Sequence, residues 1–250
     1  MKIRNALELL EKHAPLKISY DFINRYGAYD NSGIIVDVEK DITGVVFSLD
    51  LTNEAVEKAI SLNYNLIVTH HPAIYKGVSN LSTNDVIYKA IKNEIGVISM
   101  HLNLDGAPNG IDYWFCKGLG GENAKVLMEL DGGGYGRTFN YNGAIKDFVN
   151  NYEKTFNSKK YFIYGNENDK ITTVSSFCGA GFGDEEYALS EKSDLIVSAD
   201  IPHHLILKVV ESGRRVMQVT HYASEIYGFK KFYDAVDFEN KAFITQEIYK

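Results

Sequence analysis

Short runs of branched apolar residues, each followed by a turn and then an amphipathic segment, restrict this chain to few folds. "NLIVTH" is one such run, with Asn65 in front of it and Pro72 just beyond, and it reads as a short buried strand. "GIIVDV", "ITGVVFSLDL" and "GVISMHLNLD" read as strands in the first half, and "KYFIYG", "KITTVSSFCGAGFG", "SDLIVSAD" and "RRVMQVTH" in the second. Helical periodicity lies between them. Ile3, Ala6, Leu7 and Leu10 mark one face of a first helix that ends near Pro15. "TNEAVEKAISLNY" follows with Thr52 as N-cap, then "STNDVIYKAIKNEI", "PHHLILKVVESG" and "ASEIYGFKKFYDAV". In "AIKDFVNNYEKTF", Ile145, Phe148, Val149, Tyr152 and Phe156 form one stripe. Strands alternating with helices imply parallel pairing and a layered α/β architecture.

The middle of the chain breaks the alternation. "DGGGYGRTFNYNG" is glycine-rich and reads as turn or loop, with the glycines at 132–134 as a mobile segment. A domain boundary is therefore expected near residue 125. Residues 1–125 form a first α/β domain, which can also take back 226–250, and 126–225 form a second. "GAGFG" at 179–183 fits neither GxGxxG nor a P-loop and reads as a tight strand exit, with Cys178 before it in the core. "LIVTHH" at 66–71 is echoed by "LIVSADIPHH" at 195–204, too short a match to establish a duplication.

Composition removes several functions. A formal net charge of -7 argues against a general binder of nucleic acid or anionic membrane, since phosphate attraction needs a basic face. Two cysteines, far apart and in no CxxC, build neither a disulfide framework nor a zinc knuckle. The amphipathic N-terminus lacks a signal-peptide core, and no apolar run approaches the ~18 residues of a membrane span. A cytoplasmic protein is expected. The 17 Tyr and 13 Phe are expected mainly in the core and at interfaces.

The histidines carry the chemistry. Apart from His13 on the first helix, they fall in four places: His70–His71, His101, His203–His204 and His221. Each lies at or just after a strand end, where open α/β sheets bind ligands. In "HLNLD", His101, Asn103 and Asp105 share a side if the strand continues. In "HYASE", His221 and Glu225 are one helical turn apart if a helix begins there. Imidazoles and carboxylates without thiolate suit Zn, Fe, Mn or similar divalent ions. His70, His71, Asp105, His221 and Glu225 exceed the three protein ligands of an open catalytic zinc and suit two metals ~3.5–4 Å apart. Adjacent histidines at a sharp strand end can then point to different metals.

Taken together, "YDNSGIIV", "VTHHP", "HLNLDGAPNGID", "GGGYGR", "SADIPHH" and "VTHYASE" resemble, in this order, the motifs of the Nif-three-like dinuclear metal-binding family, the type 2 GTP cyclohydrolase I family. The resemblance covers nearly the whole chain. It implies two interlinked α/β domains with layered mixed sheets and a metal site between them. It also implies a toroidal homohexamer and the same five ligands. An acidic residue preceding a histidine in the family's second half corresponds to Asp200 and His204, although "SAD" stands where many relatives have "TGD" or "TGE".

Two divalent cations against Asp105 and Glu225 leave such a centre positive inside an acidic protein. It should attract an anionic small molecule and lower the pKa of a bridging water toward ~7. The expected activity is hydrolysis of a nucleotide or similar phosphorylated heterocycle by a metal-bridging hydroxide, with His101 or His204 moving protons. The alternative is a non-enzymatic metal-binding hexamer acting as scaffold or regulator through partner proteins or nucleic acid.

Overall fold

The structure is a computed structural model that describes residues 1–245. The chain forms two compact units: Met1–Ala107 with the C-terminal segment from Phe229, and Pro108–Gly228. Both are α/β, each built on one mixed sheet. The units divide the chain earlier than the boundary expected near residue 125, so that residues 108–125 belong to the second unit.

The first unit begins with α1 (Ile3–Glu11) and α2 (Leu16–Tyr26), followed by β1 (Gly33–Val36) and β2 (Val45–Ser48). Next come α3 (Asn53–Leu62), β3 (Leu66–Thr69), α4 (Val86–Lys92), β4 (Gly96–Ser99) and the short α5 (Leu102–Asp105). The second unit holds α6 (Ile111–Gly118), β5 (Lys125–Leu130), β6 (Gly133–Ala144), α7 (Ile145–Phe156), β7 (Tyr161–Tyr164) and β8 (Lys170–Ser176). It continues with α8 (Asp184–Leu189), β9 (Leu195–Ser198), α9 (His203–Glu211) and β10 (Arg215–Val219). Helix α10 (His221–Ala235) starts in the second unit and ends in the first, where β11 (Lys241–Phe243) follows.

The first sheet has the order β1-β4-β3-β2-β11. Strands β4, β3, β2 and β11 run parallel, as helix-linked strands must, and β1 closes the edge antiparallel to β4. One face is covered by α3 and α4 through Val46, Ala55, Val56, Ala59, Ile67, Ala90 and Val97. Strand alternation turns Phe47 the other way, into the rings of Phe229, Phe232, Tyr233 and Phe238 at 5.3–6.2 Å. Thr52 caps α3 as expected, its Oγ1 accepting the Ala55 N–H at 3.1 Å.

The second sheet has the order β5-β6-β8-β9-β10-β7, parallel through β8, β9 and β10 and antiparallel elsewhere. The stripe Ile145, Phe148, Val149, Tyr152 and Phe156 on α7 is buried in full. The glycine-rich stretch departs from the loop expected of it. Only Asp131 and Gly132 turn, with Gly132 at φ +85°, and the remainder is β6, a twelve-residue strand paired on both sides. Its glycines make room for neighbours: a Cβ at Gly134 would strike Val126, and one at Gly136 the Phe177 ring.

Gly228 lies inside α10, where Ala would gain about 1 kcal/mol of helix propensity. A Cβ there would stand 2.6 Å from the Ile111 Cα, a backbone atom that cannot swing aside. Overpacking costs about 1–3 kcal/mol, so Gly228→Ala is expected to lower stability on balance. Urea unfolding measures it, and a stabilised variant would contradict this packing.

Candidate metal centre

The turn after β3 separates the adjacent histidines. The Leu49 carbonyl accepts both the His70 and the His71 N–H, at 3.1 and 3.0 Å, and Thr69 Oγ1 donates to the His71 carbonyl at 2.8 Å. The backbone is pinned, and the two rings are tilted 44° to one another. His70 is fully buried, while the His71 side chain is 26% exposed. His70 Nδ1 lies 2.8 Å from the Met100 carbonyl oxygen. A carbonyl only accepts, so Nδ1 carries the proton. Nε2 of the neutral ring is then a lone pair, and it lies 3.5 Å from the Asp105 carboxylate. Two acceptors facing each other at that distance call for a cation between them, either a proton or a metal.

His101 and Asp105 reach this place by a different route from the one expected. Strand β4 ends at Ser99, and residues 102–105 form the helical turn α5 instead of continuing the strand. The Asp105 N–H bonds the His101 carbonyl at 2.9 Å, which sets the two side chains one turn apart on the same side. Asn103 consequently leaves the group: its Nδ2 donates to the Ala14 carbonyl at 2.6 Å. His70, His101 and Asp105 offer ligand atoms within 4.8 Å of one another, a grouping suited to a divalent ion. His71 adjoins it, its ring 4.8 Å from that of His70 and 6.0 Å from that of His101.

In the second unit, α10 begins at His221, so the expected i,i+4 pair forms: His221 Nε2 lies 2.9 Å from Glu225 Oε1. Asp200 takes the other nitrogen, its Oδ2 2.6 Å from His221 Nδ1. Both ring nitrogens of His221 thus face a carboxylate. His203 and His204 are exposed on the first turn of α9.

The sequence reading missed two carboxylates that do for His71 and His101 what Asp200 does for His221. Asp50 Oδ1 lies 2.8 Å from His71 Nδ1, and Asp30 Oδ1 lies 2.8 Å from His101 Nδ1. Burial alone would raise the Asp30 carboxyl, but hydrogen bonds from His101, Ser19 and Ser32 outweigh it and hold it below its ordinary value. Asp30 sits in the "YDNSG" motif, and Asp50 ends the β2 run, so both stood in view without a histidine nearby in sequence. This is the outer-partner pattern of metal-bound imidazoles: one nitrogen anchored to an oxygen acceptor, the other presented to the ion. On donor chemistry the residues fit divalent metal. The thiols take no part: burial, reinforced by Asp112, pushes Cys116 up to about 12, and Cys178 is buried in the core.

The sequence model of Duf34/NIF3 (NGG1p interacting factor 3) matches residues 1–248. The chain belongs to the Duf34/NIF3 family. It is 28% identical over 239 residues to a GTP cyclohydrolase 1 type 2 homolog of Methanocaldococcus jannaschii, covering 93% of each protein. It is 27% identical over 236 residues to one of Clostridium acetobutylicum, covering 90% of this chain and 85% of that protein. The crystal structure of Staphylococcus aureus hypothetical protein SA1388 superposes with a TM-score of 0.82 at 25% identity, over 98% of this chain and 97% of the other. The mixed α/β architecture with two mixed sheets is thus that of the NIF3 superfamily. Among the described residues no helix is long and apolar enough to cross a membrane.

For this NIF3 chain, changing an anchor while keeping a ligand intact is the sharpest check. Asp50→Asn and Asp200→Asn keep the size of the side chain but remove the charge that fixes the imidazole tautomer. Each is expected to weaken metal binding by about 10–100-fold while the fold is kept, as read by chelator competition beside circular dichroism. Unchanged affinity in both would remove the anchoring role.

Proposed function

We propose that this protein is a metal-dependent hydrolase of the GTP cyclohydrolase 1 type 2 kind, acting on a nucleotide or a similar phosphorylated heterocycle. In this reading His70, His71, Asp105, His221 and Glu225 together hold two divalent ions, Fe, Zn or Mn, and the chains assemble as a ring of six. The observation that carries it is the shared state of the histidines. His70, His71, His101 and His221 each turn Nδ1 to an oxygen acceptor, and in His70 and His221 Nε2 faces an acid. The names of the archaeal and clostridial relatives support the reaction type.

Divalent ions at such a centre supply Lewis acidity toward a substrate oxygen and make water more acidic. The chain's own residues do the rest. His101, with Nδ1–H fixed on Asp30, can accept and return a proton only at Nε2. Asp200 acts through His221, whose ring it orients, so it is a positioning residue. His204 is the proton carrier with least support, being exposed at the start of α9.

The electrostatics differ from a bare count of ligands. Asp30, Asp50 and Asp200 add three carboxylates beside the ligand pair. Two divalent cations would then be nearly balanced, and binding of a phosphate would rely little on a long-range field.

A screen of the metal-replete protein over nucleotides and phosphoesters, beside Asp105→Ala, tests this reading. Turnover of at least one nucleotide is expected, with both metal and activity lost in Asp105→Ala. Bound metal without turnover across the panel would favour the scaffold reading.

A further inference from the structure

We propose that the buried pair Arg137–Asp112 is a positioning device for the Glu225 carboxylate. The inference rests on the reading that His221 and Glu225 hold a metal. Arg137 Nη1 pairs with Asp112 Oδ2, and the two side chains are 6% and 0% exposed. A buried ion pair is a poor stabiliser, because desolvation cancels most of its attraction. What it does here is local. The other oxygen of Asp112 accepts the Cys178 N–H at 3.3 Å, and the Tyr135 hydroxyl donates to the Cys178 carbonyl at 2.5 Å. The next residue, Gly179, donates its N–H to Ser224 Oγ at 2.9 Å, and Ser224 in turn donates to the His221 carbonyl at 2.7 Å. The Cys178–Gly179 backbone is thus tied to the ion pair on one side and to the first turn of α10 on the other.

Gly179 is where this backbone meets the ligands. Its φ is +57°, a left-handed conformation that favours glycine. A Cβ there would lie 2.5 Å from Glu225 Oε1 and 3.5 Å from His221 Nε2. The absent side chain is the space the carboxylate occupies, and the backbone at 179 is the wall that flanks the Glu225–His221 contact. Asp112 and Arg137, through the Cys178 amide, set where that wall stands. The "GAGFG" strand exit therefore shapes a ligand's surroundings, and the arginine of "GGGYGR" has a role beyond β6.

Cobalt(II) binding to the metal-free full chain tests this, with affinity and the visible d–d spectrum as readouts. Arg137→Met combined with Asp112→Leu removes the acceptor for Cys178 while replacing the pair by apolar groups, a change that is often neutral for stability. A loss of affinity of about tenfold or more and a shifted spectrum are expected. Arg137→Gln with Asp112→Asn keeps a neutral acceptor and should recover most of the affinity. Gly179→Ala should match the apolar pair. If the apolar pair does not fold, Arg137→Lys serves instead, with a several-fold loss expected. Wild-type affinity and spectrum in the folded apolar pair, or in Arg137→Lys in its place, would overturn the inference and leave the metal reading intact. No cobalt binding by the unmodified chain would overturn both.

Discussion

A neutral imidazole has one nitrogen that donates and one that accepts, so fixing the proton on the first decides what the second can do. Four histidines of this chain are constrained in this way. His70 gives its Nδ1 proton to a main-chain carbonyl, while His71, His101 and His221 face Asp50, Asp30 and Asp200. These anchors belong to rigid parts of the fold. Met100 follows β4, Asp50 follows β2, and Asp200 follows β9. Parallel strands joined by helices put their carboxyl ends on one edge, which is why residues far apart in sequence can supply both a ring and its acceptor. The chemistry thus depends on the strand order as much as on the ligand residues.

The candidate ligands His70, His71, His221 and Glu225 were legible because they follow strand ends with a distinctive neighbour: the doubled histidine before Pro72, and the HxxxE spacing of His221 and Glu225. Their anchors were less so. An aspartate twenty-one residues from its histidine, as Asp50 is from His71, leaves no periodic signal, and only the pairing of β2 beside β3 brings the two together. Asp105 and His101 come together through a local structure other than the strand expected of them. A strand and a helical turn both place His101 and Asp105 on one side, at spacings of two and four, so the sequence could not separate them. Asn103 separates them: the strand would have kept it in the group, and the helical turn sends it to Ala14.

The glycine-rich segment shows the opposite error. Glycine is conformationally free, and "DGGGYGRTFNYNG" has the composition of a loop. Yet the alternation of Tyr135, Arg137 and Phe139, all buried, is that of a strand, and the glycines between them accommodate Val126 and Phe177. Composition misled because a glycine beside a large neighbour is a packing residue, and which neighbour it meets is set by sheet order. Strand β6 came from this stretch, and its antiparallel partner β5, which ends just before it, was hidden with it.

One strand therefore connects the two levels of the structure. Tyr135 and Arg137 lie on the same face of β6, two residues apart, and both act on Cys178: the tyrosine directly at its carbonyl, the arginine through Asp112 at its amide. That peptide precedes the left-handed Gly179, against which Glu225 rests. Both main-chain polar groups of Cys178 are thus held, directly or through Asp112, by side chains of a single strand. The Glu225 carboxylate, one turn into α10, can rotate about several bonds. Backed by a fixed peptide with no side chain, and faced by an imidazole already oriented by Asp200, it retains one orientation that keeps both contacts. Preorganisation here comes from removing space around the acid, and it needs neither a further ligand nor a stronger bond.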